Sequence, residues 1–346
     1  ALRTGLVDEI VPAEQLRDAA KKLALRPRKR RKAPLSQRVM NLPIVRGLVA
    51  GKIESQVRGR ARREHYPAPY AIVDLWRRHG ASPRSGYEAE AQSVARLVCT
   101  STSRNLVRVF FLQERLKGLG GKEPPAGGHV HVVGAGVMGG DIAAWCALRG
   151  FTVTLQDRST EFVQPALDRA RVFFEKRSRV PGRAAEQLAR LQADVAGHGV
   201  ERADVVIEAI YENAEAKREL YARLEPRLKS GALLATNTSS LMLEPLAEQL
   251  AVPGRLVGLH FFNPVAQMPL VEVIESAATE PQARAAALAF TRAIDKLPLP
   301  CRSAPGFLVN RVLMPYMTEA MLAAGAGVPL ATIDAVAVKF GMPMGP

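Results

Sequence analysis

The sequence predicts an α/β chain built on a mostly parallel sheet with helices on both faces, and three observations predict it. Residues 129–133, His-Val-His-Val-Val, form a short valine-rich run that reads as a buried strand. The run leads directly into Gly134, Gly136 and Gly139 in G-x-G-x-x-G spacing, with Val137 and Met138 inside it, and a helix over residues 142–148 closes at Gly150. The first glycine makes the tight turn, the second lets backbone approach a pyrophosphate, and the third lets helix pack on strand. A second strand over residues 151–156 ends in Asp157, where an acid meets the ribose hydroxyls of a dinucleotide. Further buried runs at residues 204–210, 232–236 and 256–262 alternate with helical stretches. Strands alternating with helices imply right-handed βαβ units and a parallel sheet. The fold expected is therefore Rossmann-like and the cofactor NAD. A carboxylate at Asp157 repels the 2′-phosphate of NADP, while the adjacent Arg158 keeps NADP as the lesser alternative.

Ahead of this unit the chain reads differently. Leu6, Val7, Ile10, Val11 and Pro12 suggest a short strand and turn, and a helix is expected over residues 13–25. Pro43 and Gly47 argue against any long helix in the stretch that follows. Helical patterns at 70–79, 86–99 and 104–116 form a connector, in which Trp76, Phe110 and Phe111 are expected to pack in a core. Residues 118–125, Gly-Leu-Gly-Gly-Lys-Glu-Pro-Pro, read as a linker. The expected domains are 1–62, 63–127, 128–303 and 304–346. After Asp157, Ser159 or Thr160 caps a helix running through residue 179, with Pro165 near its start. Another helix is expected over 215–229. Pro305 suits the first turn of a helix with Phe307, Val309, Val312 and Leu313 on its apolar face, Pro315 is expected to kink it, and a last helix runs over 329–340.

The formal net charge is +15, and residues 1–64 hold 17 Lys or Arg against 6 Asp or Glu. The excess is concentrated at residues 26–32, Arg-Pro-Arg-Lys-Arg-Arg-Lys, with no aromatic residue among them to stack on bases. That argues against nucleic acid and leaves a solvated loop, or a contact with phosphates or anionic lipid. Cys99, Cys146 and Cys301 form no metal-ligand spacing, and no metal is expected. No apolar run is long enough to span a membrane.

Ligands of open α/β sheets gather outside the carboxyl ends of the strands. Residues just after strands therefore draw attention: Glu212, Lys217, Ser239, His260 and Asn263. A strand ending at His260-Phe261-Phe262-Asn263-Pro264 is followed by a second at residues 270–274. Side chains twelve residues apart in such a pair face each other, which brings Glu272 to His260. A histidine with a carboxylate partner is a general base of fixed tautomer. The other reading, a core histidine beside an unrelated acid, stays open on spacing alone.

Five ordered motifs resemble the L-3-hydroxyacyl-CoA dehydrogenase family. They are the glycine turn, Asn237-Thr238-Ser239-Ser240, His260-Phe261-Phe262-Asn263-Pro264, Leu270-Val271-Glu272-Val273 and Pro305-Gly306-Phe307-Leu308-Val309-Asn310-Arg311. Residues 5–12 resemble the closing segment of an enoyl-CoA hydratase, so the whole is similar to an internal piece of a multifunctional fatty-acid β-oxidation protein of the α-subunit type. The resemblance implies a chain truncated at both ends, without the hydratase (lyase) core and with only the start of the helical C-terminal domain. It implies an acyl-CoA substrate, His260 as base, Glu272 as its orienting partner, and Ser239 and Asn310 at the reacting oxygen or thioester. Asn263 would hold the His260 loop, Asp157 the adenosine ribose, and Glu212 and Lys217 would lie along NAD, although Lys217 also reads as a solvated helix charge. A thiolase β subunit is the partner it implies. High arginine and alanine content suggests a bacterial cytoplasm, with the mitochondrion as alternative. Rival readings are a dehydrogenase of another small hydroxy acid and a non-catalytic scaffold that keeps the fold.

Overall fold

The computed structural model describes residues 2, 6–26, 35–81, 83–121, 128–178 and 180–346. Most of the basic run at 26–32 and half of the linker at 118–125 lie outside them. The chain divides into two compact units, Ala1–Val107 and Arg108–Pro346.

The first unit is helical: α1 (Leu16–Leu25), α2 (Leu35–Met40), α3 (Pro43–Arg58), α4 (Pro67–His79), α5 (Pro83–Val98) and the start of α6 (Ser101–Leu119). The strand expected near the N-terminus does not form. Leu6 and Ile10 are exposed and residues 6–12 follow bends and irregular chain, because among the described residues no strand pairs with them. Pro43, expected to interrupt helix, instead starts α3, since its missing N–H costs nothing at a first-turn position. The helix then runs through Gly47 and Gly51. Tyr70 and Val73 are buried, and the Tyr70 hydroxyl donates to the Ala61 carbonyl at 2.6 Å. Trp76 is half-buried, but Phe110 and Phe111 on α6 are exposed, contrary to the core role expected of them.

The second unit carries an eight-stranded sheet: β1 (His129–Val133), β2 (Thr152–Gln156), β3 (Leu191–Ala193), β4 (Val205–Glu208), β5 (Leu233–Thr236), β6 (Leu256–Phe261), β7 (Leu270–Glu275) and β8 (Leu297–Arg302). Their order is β3-β2-β1-β4-β5-β6-β7-β8, and every neighbouring pair is parallel except β6 with β7. Successive residues feed opposite faces. Val132, Ile207, Ala235, Val257 and Val273 enter one core, with Ile142 and Trp145 of α7 (Val137–Leu148), Phe174 of α8 (Thr160–Arg177) and Phe290. Val133, Val206, Leu234, Leu256 and Ile274 enter the other, with Leu220 and Tyr221. A sheet covered on both faces needs continuous apolar strands, and these runs supply them.

Helices α9 (Arg183–Ala189), α10 (Ala214–Leu224), α11 (Leu243–Ala247) and α12 (Pro281–Ala293) connect the strands, and α13 (Val309–Gly325) and α14 (Leu330–Phe340) follow the sheet. Several expected bounds shift. The helix expected over 215–229 ends at Leu224, where Pro226 imposes a 3₁₀ turn. Ser159 stands at the N-cap of α8, yet its hydroxyl bonds nothing. Pro305 lies in a turn ahead of α13 rather than in its first turn, and Pro315 is inside that helix. Strands β3 and β8 were not foreseen. β8 contains Pro298 and Pro300, and it is an edge strand, where proline is tolerated. No helix among the described residues is long and apolar enough to cross a membrane.

On the second face His131 is fully buried, with Nδ1 2.8 Å from Thr154 Oγ1 and Nε2 3.0 Å from Gln156 Oε1. Burial holds its pKa below 6.5, so the folded chain keeps it neutral. The unfolded chain binds a proton on this side chain at about pH 6.5, so stability falls as pH drops below that value. The urea midpoint is expected to fall on acidification, and to fall less in a His131→Gln variant. An equal fall in both removes His131 as the cause.

Candidate functional site

The glycine turn joins β1 to α7. Gly134 has φ +105°, open to glycine at little cost, and a Cβ there would collide with the Ala209 carbonyl. A Cβ on Gly139 would collide with the Gly134 carbonyl, so the third glycine lets α7 start against the strand. At Gly136 nothing lies within 4 Å of a built Cβ. The open space sits at the N-terminus of α7, where partial positive charge and unpaired N–H groups suit a phosphate. Asp157 flanks the turn: Oδ2 accepts the Ala135 N–H at 2.7 Å. Arg158 turns outward and stacks on Phe162, 4.6 Å from the ring centroid. Gly134, Gly136, Asp157, Arg158 and Ile210 help line a cleft of about 640 Å³. Val137 and Met138 occupy the first turn of α7 beside it, whereas Gly139 is buried behind. A glycine-walled hollow with Asp157 at its side fits a dinucleotide.

Neither Glu212 nor Lys217 lines that cleft. Lys217 is not a solvated helix charge: it is 1% exposed, its Nζ 2.6 Å from Glu208 Oε1 and 3.4 Å from Glu212 Oε2. Glu208, at the end of β4, also accepts the Tyr221 and Thr236 hydroxyls, each at 2.7 Å, and the Ile210 N–H at 2.8 Å. Glu212 Oε1 accepts the Thr238 hydroxyl at 2.6 Å and the Ser239 N–H at 2.8 Å. Burial would raise the Glu212 carboxyl, but these donors and Lys217 hold it below its ordinary value. The network therefore fixes the loop after β5 that presents Ser239. Glu208 was missed from sequence, though an acid closing the apolar run Val205-Val206-Ile207 is itself a signal.

The second cluster lies on β6 and β7. Their antiparallel register pairs His260 directly with Glu272. Leu259 and Val273 enter the first core, so His260 and Glu272 face the other way, toward Phe307. His260 Nδ1 is 2.7 Å from Glu272 Oε2. Glu272 is fully buried, and its Oε1 accepts the Leu308 and Val309 N–H groups at 2.9 and 2.8 Å. Burial pushes the Glu272 carboxyl up, but the His260 bond and these two N–H groups bring it below the usual carboxylate value. Gly306 (φ +74°) and Phe307 (φ +48°) make the turn that aims those N–H groups, and Phe307 pays for a left-handed backbone that L side chains seldom adopt. The His260 ring is also packed by Phe262 and Phe307, at centroid distances of 4.6 and 5.7 Å. Among the described residues nothing bonds its Nε2.

Asn310 Nδ2 donates to the Ser239 carbonyl at 3.4 Å, bringing α13 to the β5 loop. The Phe261 N–H donates to Asn237 Oδ1 at 2.9 Å and ties that loop to β6. Asn263, exposed, precedes Pro264 through a cis peptide, and its side chain bonds no described residue. No group of three or more potential metal ligands occurs among the described residues.

This constellation has known counterparts. The family model "3-hydroxyacyl-CoA dehydrogenase, NAD binding domain" matches residues 129–304, and "3-hydroxyacyl-CoA dehydrogenase, C-terminal domain" matches 306–346. The chain belongs to the 3-hydroxyacyl-CoA dehydrogenase family, and its sheet unit is that family's NAD-binding domain. Among solved structures, the 3-hydroxybutyryl-CoA dehydrogenase of Escherichia coli K12 is 37% identical, with a TM-score of 0.61 over 63% of this chain and 48% of that one. The (S)-3-hydroxybutyryl-CoA dehydrogenase PaaH1 of Ralstonia eutropha is 32% identical, with a TM-score of 0.60 over 63% and 79%. The dehydrogenase part of multifunctional enzyme 1 from C. elegans is 29% identical, with a TM-score of 0.52 over 68% and 58%. The chain thus spans about half the length of the E. coli enzyme it matches.

Two substitutions separate binding from folding. Gly136→Ala, where the backbone is unstrained and the space open, is expected to fold normally and to lose NADH affinity by tenfold or more, read by fluorescence titration. Gly139→Ala is expected to lower the melting temperature as well. A Gly136→Ala variant with native affinity would take the phosphate away from this turn. Glu208→Gln leaves the Lys217 ammonium buried without its strongest partner, and a loss of about 3–5 kcal/mol in denaturant unfolding is expected. A loss under about 1 kcal/mol would mean that Glu212 alone neutralises Lys217.

Proposed function

We propose that this chain carries the dehydrogenase step of fatty-acid β-oxidation, the NAD-dependent oxidation of an L-3-hydroxyacyl-CoA to the 3-ketoacyl-CoA. The observation that carries the reading is the His260–Glu272 pair. Nδ1 is held by a carboxylate that is itself held by two backbone N–H groups, so Nε2 is the ring atom left to act. In this reading neutral Nε2 takes the proton of the 3-hydroxyl while that carbon becomes a ketone. Glu272 fixes the tautomer and stabilises the imidazolium that forms. NAD, bound at the glycine turn, supplies the hydride acceptor. Ser239, whose hydroxyl bonds no described residue, and Asn310 stand where they can hydrogen-bond the reacting oxygen or the thioester. Asn263, exposed at the end of the His260 strand with a side chain that bonds no described residue, orients the substrate in this reading. Asp157 takes the adenosine ribose and Glu212 borders the cofactor, while Lys217 acts through Glu208 and Glu212 rather than on the cofactor itself. The solved relatives named for 3-hydroxybutyryl-CoA support an acyl-CoA substrate. Likeness to the dehydrogenase part of a multifunctional enzyme supports the fusion reading. A thiolase partner, and an anionic-lipid contact through residues 26–32, rest on resemblance and charge alone.

The test is direct. NADH titrated into the protein is followed by fluorescence, then acetoacetyl-CoA is added and nicotinamide absorbance is tracked. Binding followed by consumption is expected. His260→Ala should bind NADH normally and lose roughly 10²–10⁴-fold in turnover, the range typical of a general base. Consumption undiminished in that variant overturns the assignment of His260, and binding without consumption in the native chain favours the scaffold reading.

A further inference from the structure

The loop between β6 and β7 carries the end of the His260 strand and the start of the Glu272 strand, and a lysine outside both strands holds it. Lys296, just before β8, is 3% exposed. Its Nζ donates to the Val265 carbonyl and, at 2.6 Å, to the Met268 carbonyl. Its third side rests on the Trp145 ring, 4.0 Å from the centroid. Trp145 belongs to α7, the helix that begins at the glycine turn, and its Nε1 donates to the Ile294 carbonyl at 2.8 Å. The neighbouring acid, Asp295, is taken by Arg149 at 2.7 Å, and no described carboxylate pairs with Lys296. A buried ammonium held by two carbonyls and a π-face, with no counter-ion, is an unusual fastening.

We infer that Lys296 is a positioning residue for His260: its charged ammonium fastens the β6–β7 loop to the nucleotide-binding helix and so keeps base and cofactor in one frame. This rests on the dehydrogenase reading above. The loop is otherwise held at its ends, by the Gln267 and Met268 N–H groups on the Pro264 carbonyl and by the Leu297 N–H on the Pro269 carbonyl. Losing the charge weakens two charge-assisted hydrogen bonds and ends the attraction to the indole.

The same surroundings make the charge removable. Burial first, then Arg149, bring the Lys296 pKa down to about 8, with Arg177 acting the same way and Asp295 and Cys146 opposing. Arg149 and Arg177, which also stand over Trp145, keep their charges. The Cys146 thiol is pushed up to about 12 by burial and stays neutral. The sign for stability is opposite to that for positioning. An unfolded lysine holds its proton to about pH 10.5, so between pH 8 and 10.5 the unfolded chain binds more protons and this group makes stability rise with pH. Turnover should fall over the same range.

The experiment measures kcat for oxidation of 3-hydroxybutyryl-CoA by NAD from pH 6 to 10, with NADH affinity and melting temperature at each pH, in the native chain, Lys296→Arg and Lys296→Met. In the native chain kcat should fall severalfold above pH 8 while NADH affinity holds and the melting temperature does not fall with it. Lys296→Arg, which cannot lose its charge here, should keep its kcat to pH 10. Lys296→Met should be lower by about tenfold at every pH, within the range of a misplacement of an ångström or less, and should show no alkaline fall. If the larger guanidinium prevents folding, the methionine variant carries the test alone. A native kcat level to pH 10, an arginine variant that keeps the alkaline fall, or a methionine variant with native kcat overturns the positioning role. A native chain that binds NADH but oxidises no 3-hydroxyacyl-CoA overturns the dehydrogenase reading, and the role of Lys296 with it.

Discussion

The Glu272 carboxylate is the junction on which the candidate site depends. One oxygen faces His260 and the other takes the Leu308 and Val309 N–H groups. A buried carboxylate is tolerated only when its lone pairs are met by donors, and here three arrive from two sides. One comes from the neighbouring strand and two from the turn into α13. Through that single group the sheet unit and the helices after it share a fixed frame. The left-handed Phe307 makes sense in the same terms, because the strain at one residue is offset by two hydrogen bonds to a charged acceptor.

Buried charge is handled in two ways in this unit. Lys217 is met by acids, Glu208 and Glu212, and the Glu208 oxygens take further hydroxyl and amide donors. Lys296 is met only by carbonyls and an indole. The difference follows from position: Lys217 on α10 faces the end of β4 and the loop after it, which deliver Glu208 and Glu212, while Lys296 lies where a loop offers only backbone.

Much of this was legible in the sequence. The glycine turn, Asp157 and the alternation of buried runs with helices are local signals whose spacing is set by the ligand and the sheet. The His260–Glu272 pair was legible because antiparallel register turns a spacing of twelve into a contact. What was not legible depends on long-range placement. Pro298 and Pro300 belong to a strand because it runs along an edge, and Pro43 opens a helix it seemed to interrupt. Lys217 was read as lying along the cofactor, with a solvated helix charge as the alternative, and its burial was not visible because it is decided by Glu208, nine residues earlier on another element. Phe110 and Phe111 are exposed despite their apolarity, since composition does not say which helix face meets a neighbour. For Glu212, read as lying along the cofactor, the bonds that fix the loop presenting Ser239 were not visible in the sequence.

The edge strand β8 has one more property. The N–H groups of Leu297 and Ser303 point toward β7 or its flanks, so residues of the same parity face inward. Pro298 and Pro300 have the opposite parity, and their nitrogens point away from the sheet. The outer rim of β8 therefore lacks two donors that an incoming strand would need. At the far rim β3 is only three residues long. Both borders of the sheet are blunted against edge-to-edge growth, which protects a highly apolar sheet from templating aggregation with copies of itself.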